Sequence, residues 1–320
     1  MSERAPSFGF DIGGQSIKAV VASPAGEVLA NASAPTGQQT NAEALAGSLA
    51  SLRDELLAAV PAASEGGAGI GIAGVLDRSG QLRGGPNLPL LVGCRIGEIV
   101  SGRLERPVVV HNDADCAAIA EGWGGAADGC DDFLMIAIGT GIGSGLVMGG
   151  KLRAGASGFG CELGHMMVLH GGRRCGCGNR GCLEAYISET AARALVEESS
   201  APLRDRVAER RATAGGGFAE SVFKLGDDGD AEAEDVANRM VDVLGAAIAS
   251  AVNVLDLTTI VLGGGIAPGV LGRMTRLREA AAASLFARPV DDLIMKAASR
   301  GPLAGAIGAA RLGMLSLRSP

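Results

Sequence analysis

Two segments far apart in the chain share one design: a strand-forming run, a glycine-rich turn and a second strand-forming run. Phe8 to Ile12 leads through Asp11-Ile12-Gly13-Gly14-Gln15-Ser16 into Ile17 to Ala22, and Phe133 to Ile138 leads through Gly139-Thr140-Gly141-Ile142-Gly143-Ser144-Gly145 into a run ending at Met148. Glycine lets the backbone turn sharply and present several N–H groups to one anion. A single such turn reads equally well as an ordinary Gly-Gly hairpin. Two copies suggest two similar halves holding one nucleotide, with Asp11 placed to orient Mg²⁺ through water. No G-x-x-x-x-G-K-[ST] run occurs, and neither turn feeds a helix as a Rossmann fingerprint does. The nucleotide mode is therefore of the hairpin type.

The rest of the pattern is that of an α/β protein. Val28 to Ala34 extends the first hairpin into an antiparallel meander, and Leu45, Leu49, Leu52 and Leu56 have helical spacing within Ala42 to Val60. Strands are expected at Gly69 to Ala73, Val108 to His111 and Thr258 to Leu262, and helices at Ala114 to Trp123, Glu232 to Leu255 and Leu303 to Leu317. Gly215 to Gly217 and Gly226 to Gly229 read as surface loops. With 320 residues the chain exceeds what a single core usually organises, so two domains are expected. A net charge of −7 without basic runs argues against nucleic-acid binding. Met1 to Pro6 lacks a signal-peptide core and Leu244 to Leu255 is too short to span a bilayer, so a soluble cytoplasmic protein without membrane partners is expected.

Seven cysteines without an export signal argue against a disulfide framework. Cys94, Cys116, Cys130 and Cys161 are scattered, whereas Cys175, Cys177 and Cys182 crowd into one glycine-rich loop. Three thiolates there can converge on a tetrahedral ion, and His165 can supply a fourth ligand; sulfur with imidazole favours Zn²⁺. A redox C-x-C pair is the competing reading, and it leaves Cys182 and His165 without a role. Asn112-Asp113 follows a strand and precedes a helix, a place that suits substrate-binding residues and an N-cap alike. Local chemistry leaves Asp113 divided between cap and base, with Asp115 as a rival. The third glycine cluster, Gly263-Gly264-Gly265, reads either as a cradle for adenine or ribose or as a tight strand-to-helix connection.

Between Gly158 and Ser188 the chain reads Glu162-Leu163-Gly164-His165 and then Cys175-Gly-Cys177-Gly-Asn-Arg-Gly-Cys182-Leu-Glu184, which resembles the signature of the ROK family of repressors and sugar kinases within the actin-like ATPase superfamily. The resemblance runs from about Phe8 to Leu312. It implies a two-lobed actin-like (ribonuclease H-like) α/β fold with the active site in the cleft between lobes, residues 1–116 with about 303–320 forming one lobe and 117–302 the other. It also implies an ATP-dependent kinase for the 6-hydroxyl of glucose or a related hexose, with Asp113 as base. Asn112, Asn87, Gly74, Glu162, His165 and Glu184 would form the sugar site. The nucleotide would meet Asp11, Gly13, Gly14, Gln15, Ser16 and Lys18, then Gly139, Thr140, Gly141 and Gly143, then Gly264 and Gly265. Zinc on His165, Cys175, Cys177 and Cys182 would be structural, and a homodimer is expected.

Two departures stand out. Gln15 replaces the usual threonine of the first turn, with Ser16 next to it, and Gly160-Cys161-Glu162 stands where relatives commonly have A-G-E. N-acetylglucosamine or N-acetylmannosamine kinase is an alternative activity, and a non-catalytic sugar sensor another. With ten residues ahead of Asp11 and an acidic charge, the helix-turn-helix repressor form of the family is not the expected one.

Overall fold

The protein is described by a computed structural model covering residues 5–37, 41–85 and 87–317. Met1 to Arg4, Pro86 and Arg318 to Pro320, which the sequence reading touched, lie outside the described residues. The chain divides into two compact units: residues 5–135, 145–161 and 298–317 belong to the first, and residues 136–144 and 162–297 to the second.

In the first unit, β1 (Ser7–Ile12), β2 (Ser16–Ala22) and β3 (Val28–Pro35) form the expected meander, and β4 (Ala68–Ile72) and β7 (Val108–Asn112) add in parallel to give the order β3-β2-β1-β4-β7. A two-stranded ribbon, β5 (Val75–Leu76) with β6 (Leu82–Gly84), lies between them in sequence. Side chains alternate across the sheet. Phe8, Phe10 and Ile12 of β1 and Ala68, Ile70 and Ile72 of β4 join one core with the apolar faces of α1 (Ala42–Ala59) and α2 (Ile96–Leu104). Asn41 caps α1 through its side chain, which accepts from the Ala44 N–H at 2.9 Å.

On the other face Gly9 of β1 and Gly69 and Gly71 of β4 present no side chain, and this decides what covers it. A Cβ at Gly9 would lie 1.9 Å from the Ala306 carbonyl oxygen, one at Gly69 2.0 Å from that of Ala309, and one at Gly67 2.1 Å from that of Gly313. The final helix α10 (Ala304–Ser316) therefore lies backbone to backbone on β1 and β4, beside α3 (Asp113–Gly122). The two helices touch just as closely, since a Cβ at Gly308 would lie 1.7 Å from the Cys116 carbonyl oxygen. Buried Glu121 locks the turn before α10 to α3 by accepting from the N–H groups of Ser299 (2.9 Å), Arg300 (2.8 Å) and Ala126 (2.8 Å).

The second sheet has the order β10-β9-β8-β11-β12, from β8 (Phe133–Ile138), β9 (Ile142–Met148), β10 (Lys151–Leu152), β11 (Thr259–Gly263) and β12 (Ile294–Ala297). The helices of the second unit are α4 (Glu189–Glu198), α5 (Ala201–Ala214), α6 (Phe218–Asp227), α7 (Ala231–Leu255), α8 (Ala267–Leu271) and α9 (Met274–Ala282). Among the described residues α7 alone is long and apolar enough to cross a membrane, and half of its most apolar window is buried inside the protein. It packs on α6 and α9 as a core helix, capped by Asp230.

The glycine contacts predict opposite effects of the same substitution. Gly308→Ala is expected to cost about 3 kcal/mol through overpacking against the α3 backbone. Gly47→Ala, in α1 with nothing within 4 Å of the added carbon, is expected to stabilise by about 0.5–1 kcal/mol. Urea unfolding midpoints of the two variants check both signs.

Candidate active site

Three parallel strands of the first unit end level with one another, because Ile12, Ile72 and Asn112 are register partners. Gly13, Ala73 and Asp113 thus leave the sheet together at the carboxyl edge, where ligands bind in open α/β sheets. Asn112 settles the cap question: its Oδ1 accepts from the N–H groups of Ala114 (2.8 Å) and Asp115 (3.4 Å), and its Nδ2 donates to the Gly74 carbonyl at 2.9 Å. Asp113 is then the first residue of α3, with Oδ1 2.9 Å from the Ala114 nitrogen, while its rival Asp115 is buried at 8% exposure.

Asp11 stands one residue before the end of β1, beside Gly71, and its carboxyl lies over the first turn of α10, where a Cβ at Gly305 would come within 2.7 Å of Cγ. Burial raises its pKa to about 6; the charge of Asp113 adds to this and Lys18 opposes it. Lys18 Nζ donates to the Pro302 carbonyl at 2.9 Å, just ahead of α10. The first glycine turn is closed by Gly13 N–H to the Ser16 carbonyl at 3.0 Å and braced by Thr36, whose hydroxyl donates to the Gly13 carbonyl at 2.7 Å and whose N–H donates to the Gln15 carbonyl at 3.0 Å. Asn87 packs on the turn, 2.7 Å from where a Gly14 side chain would begin. Gln15 itself is exposed.

In the second unit the turn at Gly139 is enclosed on several sides. Glu184 Oε2 accepts from the Ile142 N–H at 2.9 Å, and a side chain at Gly141 would meet that oxygen at 2.2 Å. Gly164 approaches Ile142 so closely that a Cβ would be 2.5 Å from its carbonyl oxygen, which explains the glycine of Glu162-Leu163-Gly164-His165. The Ser144 hydroxyl accepts from the Leu163 N–H at 3.1 Å. Gly264, at φ +85°, sits against Ile138, with a Cβ position 2.3 Å from its carbonyl oxygen, so the second and third glycine clusters meet. Partial burial raises the pKa of Glu162; His165 opposes the shift and Glu184 adds to it.

The ligand atoms of His165, Cys175, Cys177 and Cys182 all lie within 4.8 Å of one another. Cys175 Sγ is 3.7 Å from His165 Nδ1, and Cys177 Sγ is 3.8 Å from Cys182 Sγ. Zinc bonds of about 2.3 Å to sulfur and 2.0 Å to nitrogen set tetrahedral donors about 3.5–3.8 Å apart, so the set fits the ion. As a thiol, Cys175 is pushed up to about 12 by burial, whereas the Asn179 N–H lowers the pKa of Cys177. An ion held by all four donors would give Cys182 and His165 the role that a redox pair leaves unfilled.

The candidate residues thus form two sets. Asp11, Gly13, Gly14, Lys18, Gly74, Asn87, Asn112 and Asp113 lie in the first unit, and Gly139, Thr140, Gly141, Glu162, His165, Glu184, Gly264 and the thiolate loop in the second. Sequence reasoning missed Thr36 and Thr190, whose hydroxyl donates to the Thr140 carbonyl at 3.1 Å. Their hydroxyls bond to backbone distant in sequence, and no local pattern announces that.

Cys161 explains one departure. It has φ +62°, the left-handed region that suits glycine, while a Cβ at Gly160 would lie 2.8 Å from the Ala154 carbonyl carbon. The small residue has moved one position, and Cys161 carries the strain. Cys161→Gly is expected to raise stability by about 1 kcal/mol, read as a higher thermal midpoint.

The ROK family pattern matches residues 7–314. The glucokinase of Halalkalibacterium halodurans is 32% identical over 308 residues, 94% of this chain and 92% of that protein. The crystal structure of a ROK hexokinase from Thermus thermophilus superposes with a TM-score of 0.80 at 33% identity, covering 98% of this chain and 99% of that one. A ROK family glucokinase from Streptomyces griseus, solved in complex with glucose and AMPPNP, gives a TM-score of 0.76 at 30% identity over 97% of this chain and 99% of that one. The α/β fold is that of the ROK kinase structures, and the chain belongs to the ROK family.

Proposed function

We propose that the protein is an ATP-dependent hexose kinase that phosphorylates the 6-hydroxyl of glucose, with Asp113 as the general base. The observation that carries this is the place of Asp113: Asn112 caps α3, and Asp113 opens the helix at the carboxyl edge of the sheet, its Oδ1 2.9 Å from the Ala114 nitrogen and its charge felt at Asp11. The likeness to glucokinases supports glucose as the acceptor. Phosphoryl transfer asks chiefly for positioning and charge stabilisation, with one carboxylate to take the hydroxyl proton as the new bond forms.

Glu162, His165 and Asn87 are proposed to hold sugar hydroxyls. With Nδ1 of His165 facing Cys175 Sγ at 3.7 Å, Nε2 is the nitrogen left for a hydroxyl. Zinc on the four-donor set would supply rigidity, fixing the His165 ring rather than polarising the substrate. Mg²⁺ would neutralise phosphate charge, with Asp11 contributing through water. Asn112 and Glu184 act on the site through the bonds they make to Gly74 and Ile142. A cytoplasmic homodimer working without nucleic acid or membrane completes the proposal, and the charge of −7 supports the part that concerns nucleic acid.

Asp113→Asn is expected to lower kcat on glucose by about 10²–10⁴-fold, the scale of a lost proton acceptor, with an unchanged thermal midpoint. Turnover near wild type across glucose, mannose and the N-acetylhexosamines would remove Asp113 from the role. Asp11 predicts a trade of stability against function. Its folded pKa of about 6 exceeds the ordinary 3.8, so the folded state binds more protons between those values and loses stability as pH rises through that window. Asp11→Asn is therefore expected to be more stable than wild type at pH 7, by up to about 3 kcal/mol, with the difference vanishing near pH 4, while KM for MgATP rises. Urea unfolding at the two pH values checks the sign.

A further inference from the structure

The second glycine turn is held by one continuous stretch of chain that begins at the thiolate loop. Just after Cys182, Glu184 takes the Ile142 N–H at 2.9 Å with one carboxylate oxygen, and its other oxygen lies 3.7 Å from Cys175 Sγ. Four residues on, the Ser188 hydroxyl donates to the Glu184 carbonyl at 2.8 Å and accepts from the Ala191 N–H at 2.9 Å, so the cap of α4 is tied to Glu184. The next two residues reach back to the turn: the Glu189 N–H donates to the Gly139 carbonyl at 2.9 Å and the Thr190 hydroxyl to the Thr140 carbonyl at 3.1 Å. Leu183 and Ile187, both fully buried, pin the stretch between these contacts.

A trans peptide is planar, and its C=O and N–H point in opposite directions. Holding the Gly139 carbonyl toward α4 turns the Thr140 N–H away from α4, and holding the Thr140 carbonyl does the same to the Gly141 N–H. Two consecutive donors are thereby aimed together at the far side of the turn, as an anion site requires. We infer that residues 184–190 form a strut that presets these N–H groups for the nucleotide's phosphates, with Thr190 as a positioning residue, so that the thiolate loop serves the nucleotide as well as the sugar. The inference rests on the reading of this turn as a phosphate site.

The test is calorimetric titration with the magnesium complex of AMPPNP in the absence of sugar, and separately with glucose in the absence of nucleotide. Thr190→Val removes the donor at constant volume and is expected to weaken AMPPNP binding about fivefold, the scale of one lost hydrogen bond, with glucose affinity within about twofold of wild type. Thr190→Ser keeps the hydroxyl and is expected to bind AMPPNP like wild type. Stripping metal with a chelator, verified by elemental analysis, is expected to weaken AMPPNP binding even without sugar. AMPPNP affinity unchanged in Thr190→Val, or unchanged in the metal-free protein while glucose affinity is lost, would overturn the inference and leave the kinase reading standing. Wild-type protein that fails to bind AMPPNP would overturn both.

Discussion

The contact on which the first unit depends is made without side chains. Gly9, Gly67 and Gly69 occupy one face of β1, β4 and the turn before β4, and α10 lies directly on their backbone. Packing at this distance leaves no room for adjustment, so it fixes where the helix begins as well as how it lies. The start of α10 sets the Pro302 carbonyl that holds Lys18 and the Gly305 backbone against which Asp11 rests. Gly308 in turn fixes α3, whose first residue is Asp113. The positions of both acidic residues are consequences of glycine packing on the far side of the sheet, with Glu121 clamping the turn that links the two helices.

The second unit reaches the same end by other means. Its glycine turn is held by bonds to a charged side chain, a hydroxyl and the first turn of α4, and those groups hang from a loop gathered by four metal-type donors. A loop this rich in glycine has little apolar surface to bury, and a metal is the usual substitute for a core at that scale. Two differently built supports, each ending in a glycine turn, suit phosphoryl transfer, where positioning supplies most of the rate.

Much of this was legible in the residues. The hairpins, the β7–α3 junction and the thiolate loop announce themselves through alternation, turn chemistry and ligand spacing, and the elements given bounds above fall within a residue or two of them, whereas Gly226, expected in a surface loop, lies inside α6. Other features were present in the sequence but mute. Phe8-Gly9-Phe10 and Gly69-Ile70-Gly71 alternate bulky and absent side chains, yet nothing local says that Gly9 and Gly69 meet a helix near the far end of the chain, at Ala306 and Ala309. The choice between Asn112 and Asp113 as cap needed hydrogen-bond geometry, because both residue types can do the work. The shift of the small residue from position 161 to 160 showed only as a departure until the positive φ of Cys161 gave it a cause. Thr36 and Thr190 bond to carbonyls that chain folding alone brings near.

What both units are proposed to serve is a transfer from ATP to one hydroxyl of a hexose. The most direct measurement is ³¹P NMR of the products formed from ATP and glucose, recorded with proton coupling. ADP is expected together with a monoester split by the two protons of C6. A monoester on another carbon, or inorganic phosphate appearing with ADP and no sugar ester, would contradict it.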